Sequence, residues 1–164
     1  LQGDREQAEV FLAKFEKAAR RTGPTKQFKA RMATWYGDIE AVREVLEGFA
    51  LEDPDQFGKF LVNYLRAVCG ELSRAEVDAM IAEILANAPS PRFLSLMGQM
   101  CTEIHAARGE FEAALACFVR AADGALIDIE WTDRCPVLKP MRKLPGFAEA
   151  RRKIQKRVQA MWVM

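Results

Sequence analysis

A glycine followed by an acidic residue recurs along the chain and limits what it can fold into. The pairs are Gly3-Asp4, Gly37-Asp38, Gly70-Glu71 and Gly109-Glu110, so successive glycines stand 34, 33 and 39 residues apart. Five positions after each glycine comes a small or apolar residue: Ala8, Val42, Ala75 and Ala114. Such a period is typical of stacked supersecondary units, each of which buries its apolar face against its neighbours.

Each part of this pattern suits the turn of a helical hairpin. Glycine accepts the left-handed conformation that closes the first helix. An acid at the start of the second helix caps free amide groups and complements the positive end of the helix dipole. The small residue one turn later lets the two helices approach closely. Ser73 with Glu76 adds a capping box, which marks the start of a helix just after the Gly70 turn.

The segments around these turns carry apolar residues with a period near 3.6, and no segment alternates with a period of two. Prolines fall between the predicted hairpins, where a helix has to stop: Pro24, Pro54, Pro89 and Pro91. We predict a single all-α domain over 1–164, with a half-repeat helix over 1–22, hairpins over 25–50, 55–87 and 92–122, and a capping segment over 123–164. Because the first unit lacks its first helix, we expect the array to be cut from a longer protein.

The segment 109–121 resembles the second helix of a tetratricopeptide repeat, with small Ala114, large Phe118 and small Ala121 on one helical face. The resemblance implies an α-solenoid of antiparallel helical hairpins. In that family the first helix of each hairpin lines a concave groove that binds peptides. The groove positions implied here are Gln27, Arg31, Trp35, Phe60, Tyr64, Gln99 and Glu103.

The last forty or so residues resemble the segment that closes tetratricopeptide arrays in many bacterial signalling proteins. The matching positions are Asp133, Pro136, Leu138, Arg142, Pro145 and Phe147. Such arrays often follow a serine/threonine kinase, a nucleotide cyclase or a transcriptional regulator. We expect the final helix to cover the last repeat with an apolar stripe formed by Phe147, Ala150, Ile154, Val158, Met161 and Trp162.

The chain has 24 Lys and Arg against 23 Asp and Glu, which argues against a generic nucleic-acid binder. From Lys139 onward, however, the sequence has eight basic residues and a single acidic residue, Glu149. The basic surface of the last helix comprises Arg151, Arg152, Lys153, Lys156 and Arg157. We interpret it first as a solvated face, second as a contact for an acidic protein surface, and last as a contact for a membrane surface or a nucleic acid. No apolar run approaches the roughly 18 residues that a membrane span needs.

Catalytic and metal-binding motifs are not found. Cys69, Cys101, Cys117 and Cys135 are widely spaced, which favours free thiols in a reducing cytoplasm over a disulfide framework or a zinc site. His105 is the single histidine, and Glu103 stands two residues away, on a different helical face. We therefore expect neither an enzyme nor a bound metal or cofactor.

The predicted function is that of a scaffold module that binds another protein or a peptide, as part of a larger bacterial signalling protein. The partner could be a domain of its own parent chain, and a homo-oligomer is compatible with the sequence. The alternative is a regulatory sensor that binds a small molecule or a signalling peptide and controls an attached catalytic domain. A closed apolar pocket of ligand size would favour the sensor.

Overall fold

The computed structural model describes residues 5–18, 22–50, 56–87 and 90–161. These residues form α-helices and two single turns of 3₁₀ helix, and none of them lies in a β-strand. The helices are α1 (Arg5–Ala18), α2 (Thr22–Tyr36), α3 (Ile39–Ala50), α4 (Gln56–Val68), α5 (Arg74–Ala86), α6 (Pro91–Ala107), α7 (Phe111–Asp123), α8 (Ile129–Arg134) and α9 (Phe147–Met161). The predicted all-α class is confirmed for the described residues.

The chain divides into two compact units, an N-terminal unit over 1–72 and a C-terminal unit over 73–164. The division falls inside the segment 55–87 that the sequence predicts to be one hairpin. The organisation of 1–164 as a single repeat domain therefore stays a prediction.

In the N-terminal unit each helix packs on the next, and α4 also packs on α2. The residues that pack between them are apolar at helical spacing, as the 3.6-residue period predicts. The buried apolar residues of this unit are Ala8, Ala30, Met32, Ala33, Val42, Phe49, Phe60, Leu61, Tyr64, Leu65, Ala67 and Val68.

The turn glycines adopt the left-handed conformation, with φ of 69° at Gly37, 78° at Gly70 and 75° at Gly109. In each turn the glycine N–H donates to the carbonyl three residues back, and the next N–H donates to the carbonyl five residues back. All six of these bonds measure 2.8–3.2 Å. This pair of hydrogen bonds is the Schellman motif, in which the last carbonyls of a helix find donors. The three turns are confirmed as predicted, and Gly3 lies outside the described residues.

The acidic residues that follow these glycines do not all cap the next helix. The Oδ1 atom of Asp38 accepts from the Ala41 N–H at 3.2 Å and so caps α3 as predicted. Glu110 occupies the N-cap position of α7, but its side chain forms no capping bond there. The capping prediction is wrong for Glu110 because stronger partners hold its carboxylate, as described below.

The Gly70 turn also differs from the prediction, at the start of α5. Ser73 is the N-cap, and it forms with Glu76 the capping box that the sequence predicts. The helix therefore begins several residues after Gly70 rather than directly after it. As a result Ala75 is exposed in the first turn, whereas Val77 is buried. The expectation that Ala75 allows a close helix approach is wrong, because this delayed start changes which residues face inward.

Two prolines that were expected between hairpins lie instead in first helical turns. Pro24 falls in the first turn of α2, and Pro91 is the first residue of α6, after the N-cap Ser90. Proline is tolerated there because the amide it lacks would have no partner within the helix. Pro54 and Pro89 lie outside the described residues.

The C-terminal unit is built around the pair α6 and α7, which approach very closely. A Cβ atom added at Gly98 would lie 2.7 Å from the Cβ of Ala121. Ala114 and Ala121 are buried, as predicted. Phe118, on the same predicted face, is fully buried too. Aromatic rings of the following segment pack on it, as set out in the Discussion.

The segment after α7 folds back onto this pair through α8, two 3₁₀ turns and α9. The carboxylate of Asp133 accepts from two nitrogens of Arg151 at 2.5 and 2.6 Å. Arg142 donates to the carbonyls of Thr132 at 3.3 Å and Cys135 at 2.7 Å. Carbonyls at the end of α8 are thereby satisfied by a side chain. Asp133 and Arg142 of the predicted closing segment thus have defined structural roles.

The apolar stripe predicted for α9 is buried only over the first half of the helix, at Phe147, Ala150 and Ile154. Val158 is half-buried, and Met161 is 54% exposed. The stripe therefore covers α7 with its N-terminal half, and the expectation for Met161 is wrong. Trp162 lies outside the described residues.

Candidate functional site: interaction surfaces

The predicted groove residues are distributed over both units. Gln27, Arg31, Trp35, Phe60 and Tyr64 belong to the N-terminal unit, and Gln99 and Glu103 belong to the C-terminal unit. Their exposure separates them into a partly exposed set on α2 and a buried set on α4 and α6.

The partly exposed set, which we call the α2 face, comprises Gln27, Arg31 and Trp35. Intervals of four residues place the three side chains on one side of the helix. The guanidinium carbon of Arg31 lies 5.0 Å from the centroid of the Trp35 ring, within the range of a cation–π contact. The indole Nε1–H of Trp35 is buried and has no hydrogen-bond acceptor among the described residues. A cation, an aromatic ring and an amide therefore lie together on a surface that solvent reaches.

Phe60 and Tyr64 occupy a different environment on α4. Their side chains are 8% and 0% exposed, and their ring centroids are 6.5 Å apart. Both rings belong to the apolar interior of the molecule. Four-residue spacing on a helix cannot by itself distinguish such interior rings from rings on a binding surface.

Gln99 and Glu103 are buried on α6, where residues from the segment around α8 bind them. Gln99 Nε2 donates to the carboxylate of Asp128 at 3.3 Å. The indole Nε1–H of Trp131 donates to Oε1 of Glu103 at 2.7 Å, and Glu103 is fully buried. In the C-terminal unit, side chains of the closing segment thus bind these two predicted groove residues. The partners lie 28 and 29 residues further along the chain, beyond the reach of local pattern analysis.

The turn between α6 and α7 holds a network of charged side chains that the sequence did not predict. Nδ1 of the buried His105 lies 2.7 Å from Oε2 of Glu110. Arg108 Nε donates to Oε1 of Glu110 at 3.0 Å, and Nη1 of Arg74 lies 3.5 Å from Oε2 of Glu110. Asp78 binds Arg74 at 2.8 Å and lies 3.7 Å from Nε2 of His105. The sequence places Glu103 on a different helical face from His105, and the partner that the structure gives His105 is Glu110, five residues away through a tight turn.

This network stabilises the ionised form of Glu110. Partial burial opposes the charge, but the hydrogen bonds from His105 and Arg108, with the charges of Arg108 and Arg74, outweigh that effect. The pKa of Glu110 is therefore below its ordinary value of 4.5. Among the described residues no group of three or more His, Cys, Asp or Glu side chains is arranged to hold a metal ion. The network therefore links α5 to the α6–α7 turn through ion pairs and hydrogen bonds.

The network predicts a specific loss of stability in acid. A carboxyl group whose pKa is lowered by folding stabilises the native state above its unfolded pKa, and this contribution disappears as the pH falls through its folded pKa. The free energy of unfolding of the Glu110→Gln variant should therefore change less below about pH 4.5 than that of the wild-type protein. Urea unfolding curves between pH 7 and pH 3 measure the difference. Glu112→Gln is the matched control because Glu112 is exposed, and it should follow the wild-type curve. Identical pH profiles for all three proteins would contradict the prediction.

A small cavity of about 220 Å³ lies between α1, α2 and α3 of the N-terminal unit. Arg5 stands at its edge and binds Glu9 at 2.7 Å and Asp38 at 2.9 Å. The guanidinium carbon of Arg5 also lies 5.5 Å from the ring centroid of Tyr36. The hydrogen bond from the Ala41 N–H, and then the contact with Arg5, lower the pKa of Asp38. The cavity is thus rimmed by charges that bind one another.

The basic residues of α9 do not form one free positive surface. Lys153 Nζ binds the carboxylate of Asp123 at 2.6 Å. Arg157 donates to the carbonyls of Leu126 at 2.6 Å and Ala122 at 3.0 Å, beyond and at the end of α7. A cation at that position also suits the negative end of the helix dipole. Two of the five predicted basic residues thus hold α9 to α7.

A third basic residue, Arg151, binds Asp133 as described above. The remaining two, Arg152 and Lys156, are exposed and bind no carboxylate among the described residues. These two cations form a smaller positive surface than the five that the sequence suggests.

The four cysteines are free thiols. Cys101 and Cys135 are buried, and Cys69 and Cys117 are partly exposed. Burial raises the pKa of Cys117 to about 11 and also raises the pKa values of Cys101 and Cys69. Because the thiolate is the reactive form, these three groups are poor nucleophiles at neutral pH.

Within the described ranges, no helix has both the length and the apolar character that crossing a bilayer requires. No protein-family model matches the sequence, and no curated protein or solved structure is significantly similar to it. Conclusions about function therefore depend on the chemistry of the chain's own residues.

Proposed function

We propose that the chain is a tetratricopeptide-like scaffold that binds another protein or a peptide, and that the α2 face is its contact surface. The proposal extends to a cytoplasmic bacterial signalling protein as the parent of the chain, on the resemblance of the closing segment. It assigns no catalytic step to this chain. Three Schellman turns near the expected period support the repeat interpretation.

The observation that carries the proposal is the arrangement of Arg31 and Trp35. A guanidinium next to an indole ring combines donors in a fixed plane with a large apolar surface, a combination that is enriched where proteins bind one another. The Trp35 Nε1–H has no acceptor in the part of the chain that the structure describes, and such a buried donor costs about 1–3 kcal/mol. A small ring displacement that brings this N–H to a carbonyl of a bound peptide would recover that energy.

The burial of the other predicted groove residues also supports the α2 face as the contact surface. Phe60, Tyr64, Gln99 and Glu103 are at most 8% exposed. A ligand would have to displace them from the interior to reach them. The α2 face is the part of the predicted groove that solvent already reaches.

Affinity capture followed by direct titration tests the proposal. Proteins bound by the wild-type chain are compared with those bound by Arg31→Glu and Trp35→Ala, and the affinity of a peptide from each captured protein is measured by calorimetry. We expect either substitution to weaken binding at least about tenfold, since truncating a central aromatic or arginine typically costs 2 kcal/mol or more. Arg152→Glu is the matched charge reversal on an exposed site and should bind as the wild type does. The proposal fails if the α2 variants keep the wild-type affinity for every captured partner.

The sensor alternative has less support. The cavity between α1, α2 and α3 has a volume of about 220 Å³, below the roughly 300–1,000 Å³ of typical ligand pockets, and ion pairs rim it. A metabolite that raises the melting temperature of the wild-type chain, and of the Trp35→Ala variant equally, would favour the sensor over the scaffold.

A further inference from the structure

The outer side of α1 carries two large apolar residues that its own unit does not cover. Val10 is 51% exposed and Phe11 is 52% exposed. They border an open depression of about 500 Å³, together with Glu6, Gln7 and Lys14. We call these five residues the α1 outer face. The opposite side of the helix packs on α2 through the buried Ala8 and its neighbours at helical spacing.

The ring of Phe11 is held in place although half of it is exposed. It stacks on the ring of Phe15 with a centroid distance of 6.4 Å and a plane angle of 11°. The ring of Phe28 from α2 lies 6.4 Å away on another side. A side chain fixed by two neighbours loses little conformational entropy when a partner covers it. The α1 outer face is thus arranged for contact before any partner arrives.

The two charged residues of this face have opposite signs and lie at its opposite ends. Glu6 lies toward the start of α1 and Lys14 toward its end, with Val10 midway between them. Both charged side chains are exposed, and neither forms an ion pair with another described residue. An antiparallel pair of such helices, related by a two-fold axis at Val10, would place each Glu6 opposite the Lys14 of the other copy.

We infer that the α1 outer face is a self-association surface whose occupant is a second copy of this chain. A two-fold interface requires one surface to be complementary to itself, and acid–apolar–base order along a helix meets that requirement. The apolar centre would be covered by the same residues of the other copy, and two symmetric ion pairs would flank it. Contact through one face of one helix is small compared with the roughly 1,200–2,000 Å² of stable complexes, so the dimer is weak.

Sedimentation velocity over a range of protein concentrations tests the inference. The mass of the wild-type chain should rise toward that of a dimer at concentrations of roughly 10⁻⁵ to 10⁻³ M, the range of weak complexes. Phe11→Ser should abolish the rise. Glu6→Lys and Lys14→Glu should each weaken the association about two- to tenfold, as expected when a pair of like charges replaces a rim ion pair. The double variant Glu6→Lys with Lys14→Glu should restore it, because each pair is then present with reversed signs.

Two exposed residues of the C-terminal unit provide matched controls. Glu112→Lys and Lys156→Glu change the net charge by the same amounts and should associate as the wild type does. Circular dichroism verifies that the α1 variants remain folded, which is expected because the substituted residues are exposed. A mass that stays monomeric at every concentration would overturn the inference. So would a dimer that is unaffected by Phe11→Ser, or a double charge reversal that fails to restore association.

Discussion

Replacing Phe118 by alanine should lower the free energy of unfolding by about 3–5 kcal/mol. The side chain is fully buried, and its ring stacks on Phe147 at 4.7 Å with a plane angle of 17°. The ring of Trp131 lies 6.1 Å away. The substitution removes the group that joins α7 to α8 and α9 at one place, and leaves a cavity that rigid neighbours cannot fill. Urea unfolding followed by circular dichroism measures the loss.

The control for this prediction is Ile127→Ala in the same unit. Ile127 is 45% exposed, so its truncation should cost less than about 1 kcal/mol. Hydrogen exchange of α7 and α9 peptides should speed up in the Phe118 variant and remain unchanged in α2 and α3. A loss below about 1 kcal/mol in Phe118→Ala would mean that the aromatic contact does not hold the closing segment.

Replacing Trp131 by phenylalanine should cost about 2–3 kcal/mol, although the ring remains aromatic. The change removes the Nε1–H that donates to the fully buried Glu103 at 2.7 Å. A buried carboxyl oxygen then loses a donor, and water cannot reach it without opening the structure. Removing a donor from a buried carboxyl group leaves part of its desolvation cost without compensation.

A double-mutant cycle separates this hydrogen bond from the packing of the ring. Glu103→Leu removes the acceptor, so Trp131→Phe should cost about 1–3 kcal/mol less in that background than in the wild type. If the cost of Trp131→Phe is the same in both backgrounds, the hydrogen bond contributes nothing and packing explains the whole effect. The wild-type, single and double variants are compared by urea unfolding at pH 7.

Local signals in the sequence predicted the helical turns well. Glycine is strongly favoured where the backbone takes a positive φ, so Gly37, Gly70 and Gly109 could be identified without knowing their surroundings. The capping box at Ser73 was equally visible, since it depends on residues three apart. Both signals act within one or two helical turns, which is why sequence alone is enough to find them.

The roles predicted for individual side chains were less accurate where they depended on contacts between residues distant in the sequence. Glu103 has the spacing of a groove residue, but the Nε1–H of Trp131 reaches it in the interior. Glu110 has the position of a helix cap, but its carboxylate binds the imidazole of His105 instead of the amides of α7. Arg157 belongs to a basic run, yet it donates to the carbonyls at the end of α7. In each case a partner brought close by folding competes with the local role.

The sequence alone thus determined the helical class of the described residues, the left-handed turn glycines and the capping box of α5. These features follow from backbone conformation and short-range hydrogen bonds, which residue types specify directly. Only the tertiary structure decided which predicted groove residues of α2, α4 and α6 reach solvent, which cations of α9 are neutralised, and that α1 presents Val10 and Phe11 outward. Burial and ion pairing depend on where remote segments pack, and a periodic sequence specifies a helical face without specifying what covers it.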